Sequence, residues 1–224
     1  MSKYKLIIFD LDDTLFDYST TEYDAIMKTC LKFNIKFNDD VYALYKKANM
    51  IAKQEVHNCI MNLDIFREKR VGIFLDMLKE YNIRVVDFIN EYLLESECGI
   101  LIDGVVETLQ AIEPTIRKVV GTNGSTYPRK NKLMNSPISK YIDSFYSSEM
   151  LGVAKPDPTF FIKICNDQGV DIKETLVVGD SFKNDIQGAY RAGIDSCLIT
   201  TSTYNLPENS RSISSIRNLI GVIS

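Results

Sequence analysis

The chain opens with Leu6-Ile7-Ile8-Phe9 running directly into Asp10, Asp12 and Asp13, with Asp17 close behind. Four apolar residues without polar alternation, β-branched and aromatic, read as a strand buried on both faces. Such strands belong to parallel sheets covered by helices on each side. Carboxylates crowded at the end of that strand need compensation: two of them about 4 Å apart repel by roughly 4 kcal/mol at an effective dielectric near ~20. The fold must therefore carry the aspartates to an open rim that a cation can reach.

Three further runs repeat the pattern of a short apolar segment ending in polar or Gly-rich residues: RKVVGTNGS at 117–125, FYSSEMLGVAKPD at 145–157 and TLVVGDSFKND at 175–185. DSCLITT at 195–201 reads as a fifth strand, and NLPENSRSISS at 205–215 as a loop before a last short helix. Between them, GVVETLQAI, RKNKLMNSPI, DPTFFIKICNDQG and NDIQGAYRAG have helical spacing, so strands and helices alternate as in βαβ units. Residues 18–98 differ. YDAIMKTCLKF, DVYALYKKANMIAKQEV, DIFREKRVGIFLDMLKEY and VVDFINEYLLES place apolar residues three and four apart, in a block with almost no glycine and no proline. The expected architecture is α/β, a Rossmann-like doubly wound parallel sheet. Its core is 1–16 and 99–224, with an all-helical cap domain inserted at 17–98.

Composition narrows the function. Lys+Arg number 26 against 30 Asp+Glu, a net charge of −4, so there is no basic excess to bind nucleic acid or an anionic membrane. No stretch approaches the roughly 20 apolar residues of a membrane span, and Asp10 interrupts any signal-like N-terminus, so a cytoplasmic protein is expected. Cys30, Cys59, Cys98, Cys165 and Cys197 are scattered without a CxxC pair and read as reduced thiols. The single histidine, His57, lies in the helix-like run IAKQEVHNCI, where a surface or packing role suits it. A multi-histidine metal site is impossible, so carboxylates must carry the chemistry. A monomer and a homodimer are both compatible with the sequence.

Ligands of doubly wound sheets bind outside the carboxyl ends of the strands. Asp10 and Asp12 follow the first apolar run, Thr122 and Asn123 the second, Lys155 the third, and Asp180 and Asp185 the fourth. If the runs are parallel neighbours, all seven share one crevice. Oxygen donors without cysteine or histidine suit Mg²⁺. A lysine, a threonine hydroxyl and Gly-flanked amides suit phosphate. A carboxylate there can attack phosphorus once metal and lysine neutralise the repulsion. Asp10 would be the nucleophile. Asp12 would protonate the leaving oxygen and then deprotonate water. Taken singly the pieces are weak: KPD can be a turn, GTNG a hairpin loop, and GDSFKND a helix N-cap through Ser181 or Asp180. Their order, each after a strand, is the signal.

FDLDDTL, VVGTNG, GVAKPDP and VGDSFKND, in that order, resemble the motifs of the haloacid dehalogenase-like hydrolase superfamily. The resemblance implies Asp10 as nucleophile, Asp12 as acid/base, Thr122 with Asn123 and Lys155 as phosphate-binding residues, and Asp180 and Asp185 as the acidic metal pair. It further implies Mg²⁺ held by Asp10 and Asp180 side chains and the Asp12 backbone carbonyl, with Asp185 helping directly or through water. Asp13 departs from the glycine of many members and reads as a branch marker. The helical insert matches the position of a mobile cap that closes over substrate.

Within the superfamily the motifs are similar to the 5′-nucleotidase branch acting on pyrimidine and non-canonical nucleoside monophosphates. They are slightly less like N-acylneuraminate-9-phosphatases and phosphoglycolate phosphatases. The implied partner is a small phosphorylated metabolite, a nucleoside monophosphate first. Tyr18, Tyr23, Arg67, Arg70 and Phe74 could stack on a base or hold a sugar, with helix packing or a solvated face as the ordinary account of each. Three alternatives stand beside this reading. A dehalogenase needs neither metal nor Asp12, and a phosphomutase shares every core residue. A non-enzymatic regulatory protein would be expected to carry a damaged motif, and none is damaged.

Overall fold

The computed structural model describes residues 2–56 and 63–224. Among them a six-stranded sheet is formed by β1 (Leu6–Phe9), β2 (Arg117–Thr122), β3 (Ser144–Ser147), β4 (Thr175–Gly179), β5 (Asp195–Ile199) and β6 (Ser210–Ile213). The spatial order is β3-β2-β1-β4-β5-β6, and every neighbouring pair is parallel. This is the doubly wound order, whose direction of winding reverses between β1 and β4. The expected α/β architecture is present.

One expectation is corrected. The stretch 205–215 is not all loop, because Ser210–Ile213 pairs with β5 as the edge strand β6. Its sequence is Ser-Arg-Ser-Ile with only Ile213 buried, so no apolar run announces it. What selects it is the open backbone edge of β5, which unpaired would expose donors and acceptors.

The helices are α1 (Tyr18–Lys32), α2 (Asp39–Val56), α3 (Leu63–Leu78) and α4 (Val85–Glu95), then α5 (Val105–Ala111), α6 (Thr126–Met134), α7 (Ser148–Leu151), α8 (Pro158–Gln168), α9 (Gln187–Ala192) and α10 (Ile220–Ile223). Two compact units result, Met1–Tyr18 with Gly99–Ser224, and Ser19–Cys98. In the first, strand residues alternate between two cores. Ile7, Phe9, Val120 and Val178 pack with Val105, Leu109, Leu133 and Leu219 on one face of the sheet. Leu6, Ile8, Val119 and Val177 pack with Phe160, Phe161, Ile164 and Ala189 on the other. All of β1 is buried because both faces are covered, which accounts for its unbroken apolar run. The second unit has its own core around Tyr45, Phe74 and Phe88.

Local sequence sets the element that follows Lys155. Asp157 caps α8 by accepting the Thr159 N–H at 2.8 Å, Pro158 occupies the first turn, and Gly169 ends the helix with φ 62°. Cys30, Cys165 and Cys197 are buried free thiols and Cys98 is an exposed one. His57 and Cys59 lie outside the described residues. Among the described residues no helix is long and apolar enough to cross a membrane.

Candidate active site

The carboxyl ends of β1 and β4 lie side by side, since Phe9 is in register with Val178. The Asp10 N–H donates to the Val178 carbonyl at 2.8 Å, which fixes the first aspartate next to the strand that delivers Asp180. Asp180 follows Gly179, and then a π-helical turn, Phe182–Ile186, brings Asp185 back over the strand end. Ser181 caps that turn by accepting the Asn184 N–H at 3.2 Å, so the N-cap reading of GDSFKND holds for Ser181. The turn needs Gly179: a β-carbon there would come within 2.3 Å of an Asp185 carboxylate oxygen.

Lys155 ties the acids together. Its ammonium donates to Asp10, to Asp185 Oδ1 at 2.7 Å and to the Gly121 carbonyl at 2.9 Å. The lysine side chain is 2% exposed and Asp185 1%. The peptide bond between Lys155 and Pro156 is cis. Asn123, expected at the phosphate, has its side-chain amide engaged elsewhere: Nδ2 donates to the Lys155 carbonyl and Oδ1 accepts the Lys155 N–H, each at 2.9 Å. Asn123 therefore anchors the loop that presents the lysine. Thr122 is 2% exposed, and its hydroxyl lies 3.5 Å from the Asn123 carbonyl.

Burial pushes the Asp10 carboxyl up to about 8, Lys155 pulls the other way, and Asp185 and Asp12 add to the rise. Burial, then Asp185 and Asp13, pushes Asp180 up to about 6. For Lys155, burial alone would favour the neutral amine, but Asp10 and Asp185 outweigh it and hold the ammonium above its ordinary range. One cation among three acids leaves an excess of negative charge. Oxygens of Asp10, Asp180 and Asp185 all lie within 4.8 Å of one another. The donors are carboxylates alone, without thiolate or imidazole, so the cluster fits a hard divalent ion such as Mg²⁺.

Asp12 lies away from this cluster. Its carboxylate accepts from Lys132 Nζ and stands 3.4 Å from Arg129 Nε, both on α6. Neither cation is marked by the motif reading, although RKNKL, which follows GTNG after the intervening STYP, carries basic residues three apart on one helical face. Thr14 was also missed; its hydroxyl donates to Asp180 Oδ1 at 3.4 Å. Asp13 sits at φ 62°, a conformation that aspartate tolerates better than most residues, and its Oδ1 accepts the Tyr18 N–H at 3.0 Å. This left-handed position is thus held by a short polar side chain with a local hydrogen bond.

The side chains named as possible substrate contacts have structural surroundings. The Arg70 guanidinium is buried within 5.1–5.4 Å of the ring centroids of Tyr45, Phe66 and Tyr92. Phe74 is fully buried, the Tyr23 hydroxyl donates to Asp39 at 3.2 Å, and Arg67 donates to Asp64 at 2.9 Å. Tyr18 opens α1 and gives its backbone N–H to Asp13.

The family model described as haloacid dehalogenase-like hydrolase matches residues 7–199. The chain belongs to this family. This haloacid dehalogenase-like hydrolase is 31% identical over 208 residues to the pyrimidine 5′-nucleotidase PynA of Streptococcus pneumoniae, covering 86% of this chain and 82% of PynA. It is 27% identical over 213 residues to the HAD-hydrolase YfnB of Bacillus subtilis, covering 93% and 89% of the two chains. The orthorhombic crystal structure of YfnB bound to magnesium superposes with a TM-score of 0.80 at 24% identity, over 99% of each chain.

Proposed function

We propose that this haloacid dehalogenase-like hydrolase is a Mg²⁺-dependent phosphomonoesterase that works through an aspartyl-phosphate on Asp10, with nucleoside monophosphates, pyrimidine ones foremost, as substrates. The observation that carries the reading is the Asp10–Lys155–Asp185 cluster, with Asp180 beside it, at the carboxyl ends of β1 and β4 where the winding reverses. The nucleotide preference is supported by the similarity to PynA, and the metal by the all-carboxylate donor set and by the magnesium-bound YfnB structure.

In this mechanism an Asp10 oxygen forms a bond to phosphorus while the bond from phosphorus to the alcohol oxygen breaks. Asp12 gives its proton to that departing oxygen. Lys155 neutralises charge on the phosphoryl oxygens, with the Thr122 hydroxyl and the Asn123 backbone donating to them. Water then attacks the aspartyl-phosphate, Asp12 takes its proton, and inorganic phosphate leaves with Asp10 restored. A bound Mg²⁺ would be held by Asp10, Asp180 and Asp185 with the Asp12 carbonyl, and would supply the positive charge that lets an anion approach a phosphate dianion. The helical residues 17–98 serve as the cap that selects substrate, and the small-metabolite substrates reflect a protein of the cytoplasm.

The test is phosphate release over a panel of UMP, dUMP, TMP, AMP, FMN, phosphoglycolate and sugar phosphates, with Mg²⁺ and with excess EDTA. Turnover in Mg²⁺ alone, fastest on pyrimidine nucleotides, is the expected result. Full activity in EDTA would refute the metal-dependent mechanism. Equal or faster rates on sugar phosphates would reject the nucleotide preference. Isomerisation of a hexose phosphate in place of phosphate release would make the protein a phosphomutase.

A further inference from the structure

Asp12 is gripped by α6 in a way that the reaction above does not by itself require. Lys132 Nζ donates to Asp12 Oδ1, while Arg129 Nε stands 3.4 Å from Oδ2 and forms no hydrogen bond among the described residues. The Lys132 side chain is only 6% exposed, and its ammonium lies 5.0 Å from the centre of the Phe16 ring. Room for it is made at Gly99, where a β-carbon would come within 2.4 Å of Phe16 Cδ1 and 2.6 Å of Lys132 Cδ. If filling volume were all that this slot required, an apolar residue would do so without desolvating a charge. A buried lysine is retained where its charge is paired, and here the pairing is with Asp12.

From this geometry we infer that Lys132 is a positioning residue for Asp12. Holding Oδ1 stops the carboxyl group from turning about its Cβ–Cγ bond and leaves Oδ2, the less tightly held oxygen, to exchange protons. In the first half-reaction the proton on Oδ2 passes to the ester oxygen as that oxygen separates from phosphorus. In the second, Oδ2 takes a proton from water as the water oxygen bonds to phosphorus and the bond from phosphorus to Asp10 breaks. Lys132 itself touches neither substrate nor phosphoryl group. The inference rests on the phosphomonoesterase reading.

Leaving-group chemistry isolates the effect. An alkyl phosphate, such as the best nucleotide of the panel, needs its leaving oxygen protonated, whereas 4-nitrophenyl phosphate releases an acidic phenol that does not. kcat/KM reports the steps up to release of the alcohol, so it is compared for both esters in Lys132→Met, Lys132→Gln and Lys132→Arg. General acid catalysis contributes about 10²–10⁴-fold. Lys132→Met is therefore expected to lower kcat/KM for the alkyl ester at least ~10-fold more than for the aryl ester, and Lys132→Arg to restore the wild-type ratio. In an Asp12→Asn background, removing Lys132 is expected to leave the ratio unchanged. Lys132→Gln carries the same comparison should the methionine variant fail to fold. Equal losses on both esters, or no loss, in a wild-type-active system would overturn the positioning role alone. A wild-type protein that hydrolyses neither ester would overturn the phosphatase reading and this inference with it.

Discussion

Lys155 shows how one buried cation can hold a cluster of acids together. Its ammonium faces Asp10, Asp185 and the Gly121 carbonyl while nearly excluded from water. A charge so placed is tolerable only with its partners, and each partner is equally dependent on it. Asp10 differs from Asp185 in that it is not fully covered, with 12% of its side chain exposed. Of the pair, Asp10 is thus the carboxylate open to solvent, as its proposed role of nucleophile requires. Asp10→Asn keeps the volume and an acceptor for Lys155 but removes the attacking anion. The expected outcome is a loss of kcat of at least ~10³-fold with a little-changed far-UV circular dichroism spectrum and melting temperature. Turnover within tenfold of wild type would remove Asp10 from the mechanism.

At the scale of elements, α8 is what presses the lysine loop onto the sheet. Asp157 caps it immediately after Lys155, and Phe160, fully buried, packs beneath the site with its ring centroid 5.9 Å from the lysine ammonium. β2 is narrow at that point: a β-carbon on Gly121 would meet Phe160 Cε1 at 3.1 Å and Ile8 Cγ2 at 3.0 Å. Phe160→Ala is predicted to cost about 3–5 kcal/mol, read as a lower urea midpoint at unchanged slope. A loss below ~1 kcal/mol would mean that the site collapses around the missing ring, and that α8 is not the wedge described here.

At the scale of the whole molecule, the acidic cluster joins Asp10, at the end of β1, to Asp180 and Asp185, which follow β4 170 and more positions further along the chain. They converge only when β1 and β4 are paired, so a cation bound there binds the folded chain in preference to the unfolded one. Mg²⁺ at about 100 times its dissociation constant should add about 2.7 kcal/mol. For a chain of this size that is a rise in melting temperature of about 5–11 °C, at about 2–4 °C per kcal/mol. Scanning calorimetry with Mg²⁺, with EDTA and with Asp180→Asn measures it. The shift should vanish in EDTA and be blunted in the variant, and an equal shift in Asp180→Asn would place the cation elsewhere.

The sequence by itself determined the doubly wound sheet, because β1 can be an unbroken apolar run only if both its faces are covered. It also determined which polar residues stand at the strand ends, since those positions follow the runs directly. Tertiary structure alone decided the rest. β6 has no apolar signature because an edge strand is selected by the unpaired backbone of β5. The Asn123 amide meets the Lys155 backbone twice, a pairing across 32 residues that no local pattern encodes. The hold of Lys132 on Asp12 was equally hidden, for a lysine on a helix reads as solvated until the fold buries it, and only burial obliges its charge to find a partner.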